Sequence, residues 1–357
     1  MRAAVFLERG RPLVVEDVVP VPPGPRDVVV RVTASGVCHS DLSVVKGTLP
    51  GGPQILGHEG TGIVEEIGAE VRHVAVGDRV VGTFIPACGV CWYCLRDQSH
   101  LCEEQFPVMF THRATRHSGQ ELTPFCGLGT FAEHMTVSEI SVVKVETDLP
   151  DAQLALLGCA VTTGVSAVLN TARVEPGSSV VVVGCGGVGQ SVIQGARIAG
   201  AARIVAVDPV ESKRAAALVL GATDTIDPTA QDPATVVRSL TGGRGADYAF
   251  EAIGRDATLR QAFASSRRGG TVVAVGVHEI HTDIAVSSYH LVLEERRLLG
   301  TVYGNAQVRR EIPRLLELAA DGRLDLASMV TRTIALDDVN DALRALEAGE
   351  VIRSVIV

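Results

Sequence analysis

Four cysteines fall within one short run, CGVCWYCLRDQSHLC, as Cys88, Cys91, Cys94 and Cys102. Two-residue gaps let a turn aim neighbouring thiolates at one ion, and a fourth cysteine returning soon afterwards closes a tetrahedral site. Four thiolates leave no position for substrate. The chemistry offered is therefore structural: a Zn2+ that holds together a lobe with too little core of its own. An iron–sulfur cluster is the other occupant for such a set, and unliganded thiols are the plain alternative.

A second stretch, GVCHSD, sets Cys38, His39, Ser40 and Asp41 side by side. It reads as part of a metal site, as a thiol nucleophile beside a base, or as a polar loop. Cysteines also stand at 126, 159 and 185, and GHEG puts His58 next to Glu59. A zinc site of two thiols and one imidazole, with its fourth position open, is satisfied by Cys38, His58 and Cys159. Ordinary packing of each residue is the competing reading.

The third signal is VVVVGCGGVG, where Gly184, Gly186 and Gly189 fit the G-x-G-x-x-G fingerprint around Cys185, Gly187 and Val188. Such a turn lets a pyrophosphate approach a helix N-terminus. The next apolar run, ARIVAVD, ends in Asp208 about twenty residues on, where a carboxylate accepts hydrogen bonds from an adenosine ribose and repels a 2′-phosphate. NAD is thus favoured over NADP. A glycine turn in a ligand-free sheet is the alternative, and Cys185 is a spacer.

These groups need elements to position them. A chain of 357 residues exceeds what a single core usually serves, so two domains are expected. The first part reads as short strands and turns: DVVVRVTASG is a strand, and TGIVEEIG with VGDRVVG a β meander. From about residue 160, SSVVVVG, ARIVAVD, ADYAFEAIG, GGTVVAVGV and LLGTVYG read as buried parallel strands separated by helical stretches such as QSVIQGARIAG and ESKRAAALVLG. That is an α/β, doubly wound sheet. The tail carries a helical NDALRALEAGE and a final apolar run, VIRSVIV, suited to closing the first domain's sheet. Neither a repeat nor a low-complexity linker is apparent.

The net charge of -9 is spread without a basic run, which argues against nucleic acid or an anionic membrane and for a small-molecule partner. The N-terminal stretch is broken by charges and no run is long and apolar enough to span a bilayer, so a cytoplasmic protein is expected. In that compartment its eight cysteines read as metal ligands or free thiols rather than disulfides.

GVCHSD, GHEGTGIVEEIG, VGDRVV, the four-cysteine run, LLGCAVTTG, VVVGCGGVGQ and IVAVD follow in the order and spacing of the zinc-dependent medium-chain alcohol dehydrogenases, and the chain resembles that family over its whole length. The resemblance implies a β-rich GroES-like catalytic domain, residues 1–160 and 303–357, around a Rossmann NAD-binding domain, residues 161–302. It implies two Zn2+ per chain, a catalytic one on Cys38, His58 and Cys159 and a structural one on the four-cysteine lobe. Asp41 matches a carboxylate that orients His58, Glu59 an acid behind the metal, and Ser40 the hydroxyl that takes the alcohol proton. Thr163 and Val188 match contacts to the nicotinamide, with Val277 also on the cofactor side. His39 and Arg353 match contacts to the pyrophosphate, and Lys213 a ribose-side contact. Leu49, Phe84, Phe125, Val277 and Val302 match the substrate channel, and all are apolar.

The function implied is hydride transfer between an alcohol, preferably an apolar alkyl or aryl primary one, and NAD. A thiol-dependent formaldehyde dehydrogenase and a nicotinoprotein with tightly bound NAD share these motifs, and a non-catalytic nucleotide-sensing zinc protein is the distant alternative. Residues 111–129 resemble an insertion of dimeric members, so a homo-oligomer, dimer before tetramer, is expected. Within it His112, Arg113, Arg116 and His117 form either a solvated face or a seat for an anionic substrate group. One departure stands out. Ser43 occupies the place where many members carry the histidine that ends the proton relay.

Overall fold

The computed structural model describes residues 1–277, 279 and 282–357 and divides into two compact units. The first comprises Met1–Cys159, Gln307–Leu318 and Met329–Val357, and the second Ala160–Ala306 with Ala319–Ser328. Residues 303–306 and 319–328 thus cluster with the second unit, whereas the sequence reading kept the whole tail with the first. A two-way amide clasp accounts for part of this: Gln194 Nε2 donates to the Asp325 carbonyl at 3.0 Å and the Asp325 N–H to Gln194 Oε1 at 2.7 Å.

In the first unit the strand Asp27–Val37 is the axis of a seven-stranded sheet. Alternation places Val28 and Val30 inward against Val64, Val80, Met135 and Val137. The strand pairs antiparallel with Glu59–Ile67 along its length, with His134–Ser138 along its first half, and with Ser354–Ile356 at its end. The run VIRSVIV therefore joins this sheet without closing it, since Arg332–Ile334 pairs parallel on its far side as the edge strand. Arg79–Gly82 and then Val142–Lys144 continue outward from Glu59–Ile67. Five short strands, Arg2–Phe6, Val14–Pro20, Ala114–Arg116, Glu121–Pro124 and Gln54–Ile55, close a small barrel.

The second unit is a six-stranded parallel sheet in the spatial order Asp224–Ile226, Arg203–Val207, Ser179–Val183, Ala246–Glu251, Ser266–Ala274 and Arg297–Gly300. Helices on both faces bury consecutive residues such as Val180, Val181 and Val182, which explains the unbroken apolar runs. Asp224–Ile226 was not read from the sequence, because one buried isoleucine gives no period. The strand order reverses between Ser179–Val183 and Ala246–Glu251, the switch point at which such sheets bind ligands. Among the described residues no single helix is long and apolar enough to cross a membrane.

Candidate active site

Strand Asp27–Val37 runs directly into Cys38, which N-caps the helix His39–Lys46. His58 immediately precedes the paired strand Glu59–Ile67, and Cys159 follows the 3-10 turn Ala155–Gly158. Gly158 allows this approach: a Cβ there would lie 3.0 Å from the Gly82 carbonyl and 3.1 Å from Glu59 Cα. One ligand atom from each of Cys38, His58, Glu59 and Cys159 lies within 4.8 Å of the others, and all four residues are buried.

Asp41, wholly buried, organises this group. Its Oδ2 accepts the Cys38 N–H at 2.9 Å, while Oδ1 accepts the Gly57 N–H at 3.0 Å and sits 3.2 Å from His58 Nδ1. With its proton on Nδ1, His58 turns the lone pair of Nε2 inward, and that buried atom has no partner among the described residues. An orphaned imidazole nitrogen beside two thiols is the donor set Zn2+ takes. The Cys159 thiol donates to Cys38, which holds Cys38 well below the ordinary thiol range against burial, with Arg353 adding to the effect. The same bond, with burial, pushes Cys159 well above it. Burial raises Glu59 to about 7, opposed chiefly by Arg353.

Arg353 is not a surface charge. It is 1% exposed, and its Nη2 reaches Glu59 Oε1 at 2.7 Å and Cys38 Sγ at 3.5 Å, while Nη1 donates to the Val37 carbonyl at 3.3 Å. Ser40 is half-buried with Oγ 3.9 Å from Cys38 Sγ, and Ser43 lies one turn further along the same helix. His39 is exposed at the helix start. Phe84 and Phe125 stand nearly perpendicular to the His58 ring, with centroids 5.9 and 5.2 Å away. Leu49 packs with Phe125 on the cluster of Phe6, Leu56 and Phe131. Burial pushes the Cys126 thiol up to about 12, so it stays protonated and outside the ligand set.

The second cysteine group is equally compact. Cys88, Cys91, Cys94 and Cys102 place their sulfurs within 4.8 Å of one another. Backbone N–H groups point at these sulfurs: Cys91 and Val90 at Cys88 Sγ (3.3 and 3.5 Å), Cys94 at Cys91 Sγ (3.5 Å) and Cys88 at Cys102 Sγ (3.4 Å). Against burial, N–H groups of Glu103 and Cys94 hold the Cys91 thiol down at about 6. Val90, Trp92 and Leu95 are 76%, 53% and 70% exposed, so the lobe lacks an apolar core and depends on what its thiolates hold.

In the second unit each glycine of the loop has its own reason. Gly184 has φ +94°, where a Cβ would meet Ile253 at 2.4 Å, and a Cβ on Gly189 would strike the Gly184 carbonyl at 1.8 Å. Gly186 faces nothing within 4 Å and N-caps the helix Gly187–Ile198 without a side-chain cap. Open space above uncapped N–H groups, with Gly187 and Val188 in the first turn, fits a pyrophosphate. Asp208 latches this loop: Oδ2 accepts the Cys185 N–H at 2.8 Å and Oδ1 the Val210 N–H at 2.9 Å. Cys185 is a buried spacer as expected.

Two residues escaped the sequence reading. Gln190 Nε2 ties the Cys185 carbonyl to that of half-buried Lys213, and Arg214 Nη1 donates to the carbonyls of Asp208 and Pro209. Gln190 follows the glycine motif directly, and its signal was a second glutamine, Gln194, one turn further along the same helix, both buried. Thr163 is 8% exposed, with a buried Oγ1 that has no partner among the described residues. Val302 and Val277 are 36% and 69% exposed on the same unit.

A two-thiol, one-imidazole metal centre in a β-rich unit and a glycine loop on a parallel sheet define a zinc-dependent dehydrogenase. Residues 24–151 match the model of the alcohol dehydrogenase GroES-like domain, and residues 187–321 that of zinc-binding dehydrogenases. The chain is 39% identical to the S-(hydroxymethyl)glutathione dehydrogenase of Synechocystis over 366 residues, covering 99% of both chains. Escherichia coli enzymes of the same name match at 39% over 365 residues, again with 99% of both covered. Among solved structures, benzyl alcohol dehydrogenase from Acinetobacter calcoaceticus superposes with a TM-score of 0.92 at 32% identity, over 99% of this chain and 98% of that one. A zinc-binding dehydrogenase from Sinorhizobium meliloti bound to NADP superposes at 0.81 and 27%, over 100% and 98%. The chain belongs to the zinc-dependent medium-chain alcohol dehydrogenases. It is a zinc-containing oxidoreductase that uses a nicotinamide dinucleotide.

Proposed function

We propose that this enzyme oxidises apolar primary alcohols, aryl ones foremost, with NAD as hydride acceptor, and reduces the aldehydes in reverse. The observation that carries this is the pair of phenyl rings, Phe84 and Phe125, with centroids within 6 Å of the imidazole that offers Nε2 to the metal. Zn2+ on Cys38, His58 and Cys159 supplies the Lewis acidity that lowers the pKa of an alcohol hydroxyl. The chain's own residues do the rest. Asp41 fixes Cys38 and His58 together, Glu59 stands behind the ligands with Arg353 as its counter-ion, and Ser40 takes the alcohol proton. A serine does not titrate near neutral pH, so Ser43 passes the proton on to water rather than keeping it. Within the second unit Thr163, Val188 and Val277 serve the nicotinamide and Lys213 the ribose side, and within the first Leu49 adds to the apolar side chains near His58. Asp208 selects NAD by repelling a 2′-phosphate.

The relatives named S-(hydroxymethyl)glutathione dehydrogenase support a second reading, oxidation of a thiol adduct of formaldehyde. The insertion speaks against it. Arg113 pairs with both oxygens of Asp27, Arg116 with both of Glu16, and His112 hydrogen-bonds Thr115 at 3.1 Å, so these three face their own chain, while the fourth candidate, His117, is exposed. We place the enzyme in the reducing cytoplasm as a homodimer. Eight free cysteines support the first part. Tyr289, Val292 and Leu293, 49–71% exposed beside the edge strand Arg297–Gly300, support the second.

The test is NAD reduction across benzyl, allylic, linear primary and secondary alcohols, repeated with formaldehyde plus thiols. Benzyl alcohol should lead, and Ser40→Ala should lose about 10²–10⁴-fold. Turnover with formaldehyde and thiol alone overturns the proposal. Nucleotide that survives gel filtration marks a nicotinoprotein instead.

A further inference from the structure

We infer that Glu251 is a positioning residue for the coenzyme: its carboxylate clamps the two turns that form the wall of the glycine loop. It ends the strand Ala246–Glu251, level with Val183 on the strand that feeds the loop. The side chain is fully buried. Its Oε1 accepts three hydrogen bonds, from the Ile253 N–H at 2.9 Å, the Gly254 N–H at 2.8 Å and Thr258 Oγ1 at 2.7 Å. Its carbonyl accepts the N–H groups of Val275 and Gly276, each at 2.9 Å. One residue thus ties together the turns that leave two adjacent strands.

The turns interlock too closely to move singly. A Cβ on Gly276 would lie 2.1 Å from the Gly254 nitrogen, and one on Gly254 would lie 2.2 Å from the Val277 carbonyl. Ile253, which the clamp fixes, is the side chain 2.4 Å from where a Gly184 Cβ would stand, so the first glycine of the loop rests on the turn that Glu251 holds. A neutral acceptor would satisfy the same three donors. A leucine would avoid the desolvation of a carboxylate but leave those donors unpaired, and Oε2 has no partner among the described residues. What the acid supplies is the shape of the turn.

This rests on the NAD reading above, and the test separates the two. The NAD dissociation constant is measured by calorimetry on wild type, Glu251→Leu, Glu251→Gln and Asp247→Leu, with steady-state kinetics alongside. Asp247 bonds Ser179 and Arg267 near the opposite end of the same strand, so its loss destabilises this sheet away from the loop. If losing the clamp leaves the wall in place about one tenth of the time, Glu251→Leu weakens NAD about tenfold. The KM for NAD rises with it while kcat at saturating NAD is unchanged. Glu251→Gln keeps the acceptor and restores binding, and Asp247→Leu melts earlier with NAD affinity intact. Should Glu251→Leu not fold, Glu251→Asp, which withdraws the carboxylate by one methylene, carries the same expectation. An unchanged NAD dissociation constant in the Leu or Asp variant overturns the inference. If wild type binds NADP and not NAD, the coenzyme reading fails instead, and the series is repeated with NADP, since the clamp serves the pyrophosphate loop of either.

Discussion

Replacing Arg353 by methionine should be among the most damaging single changes in the first unit. The guanidinium is 1% exposed and its partner Glu59 wholly buried, with the two 2.7 Å apart. Breaking such a pair from one side costs about 3–5 kcal/mol, because a charge is left in low dielectric without its counter-ion. Glu59 has an escape. Burial already raises it to about 7 with Arg353 as the chief opposing influence, so without the arginine it takes up a proton at neutral pH. That places the loss at the low end, about 3 kcal/mol, which for a unit of this size lowers the melting temperature by roughly 6–12 °C. Glu59→Gln with Arg353→Met should cost less than the sum of the single changes, by roughly 1–3 kcal/mol. Calorimetry of the four zinc-loaded proteins at pH 7.5 gives the cycle, and the NAD KM is read in parallel. Additive single losses, or an Arg353→Met protein that melts like wild type but binds NAD poorly, would refute the buried-pair reasoning and return Arg353 to the pyrophosphate.

Elemental analysis should find two zinc ions per chain. Cys38→Ser should lose one of them and nearly all turnover while remaining folded, whereas Cys91→Ser should lower stability, and a single zinc in a fully active preparation would contradict both. Asp208→Gly should weaken NAD while improving NADP relative to it, yet absolute affinity for both should fall, because the carboxylate also latches the N–H groups of Cys185 and Val210; the ratio of KM values decides. Glu139 lies below its usual 4.5 because, against burial, the Arg72 N–H and the Arg26 guanidinium favour its charged form. The stability it lends is therefore complete above the unfolded value and is lost as pH falls through the lower folded one. Glu139→Gln should melt earlier at pH 7 and show a flatter decline below about pH 4.5; a curve parallel to wild type down to pH ~3 would rule this out.

Much of the site was legible because spacing is itself geometry. Two-residue gaps bring Cys88, Cys91 and Cys94 around one point, and a strand that ends in an acid twenty residues past a glycine turn sets Asp208 beside it. What spacing does not show depends on register between distant strands. Arg353 looks like any charge in VIRSVIV until Ser354 pairs with Val37 and carries the preceding side chain into the core behind Cys38. The cations of the insertion were ambiguous for the same cause: only the pairing of Val18 with Arg116 brings Glu16 within reach of that guanidinium. Glu251 and Gln190 gave weaker signals, since a buried polar residue serving backbone groups has no partner motif to search for.

The strand Ser354–Ile356 joins residues 317 apart in sequence when Ser354 meets Val37, and the entire second unit is synthesised in between. At about 5–20 residues per second, a ribosome spends some tens of seconds between delivering Asp27–Val37 and delivering the strand that covers its end. During that interval the edge at Val37 is unpaired, and Cys38 and Glu59 lack the arginine that neutralises them. Both segments of the glycine-loop unit, Ala160–Ala306 and Ala319–Ser328, are made before that strand exists. Truncation before residue 353 should leave Cys38, His58 and Cys159 in the chain without the strand and the arginine behind them, and zinc counted per chain against the full-length protein reads what that late support is worth.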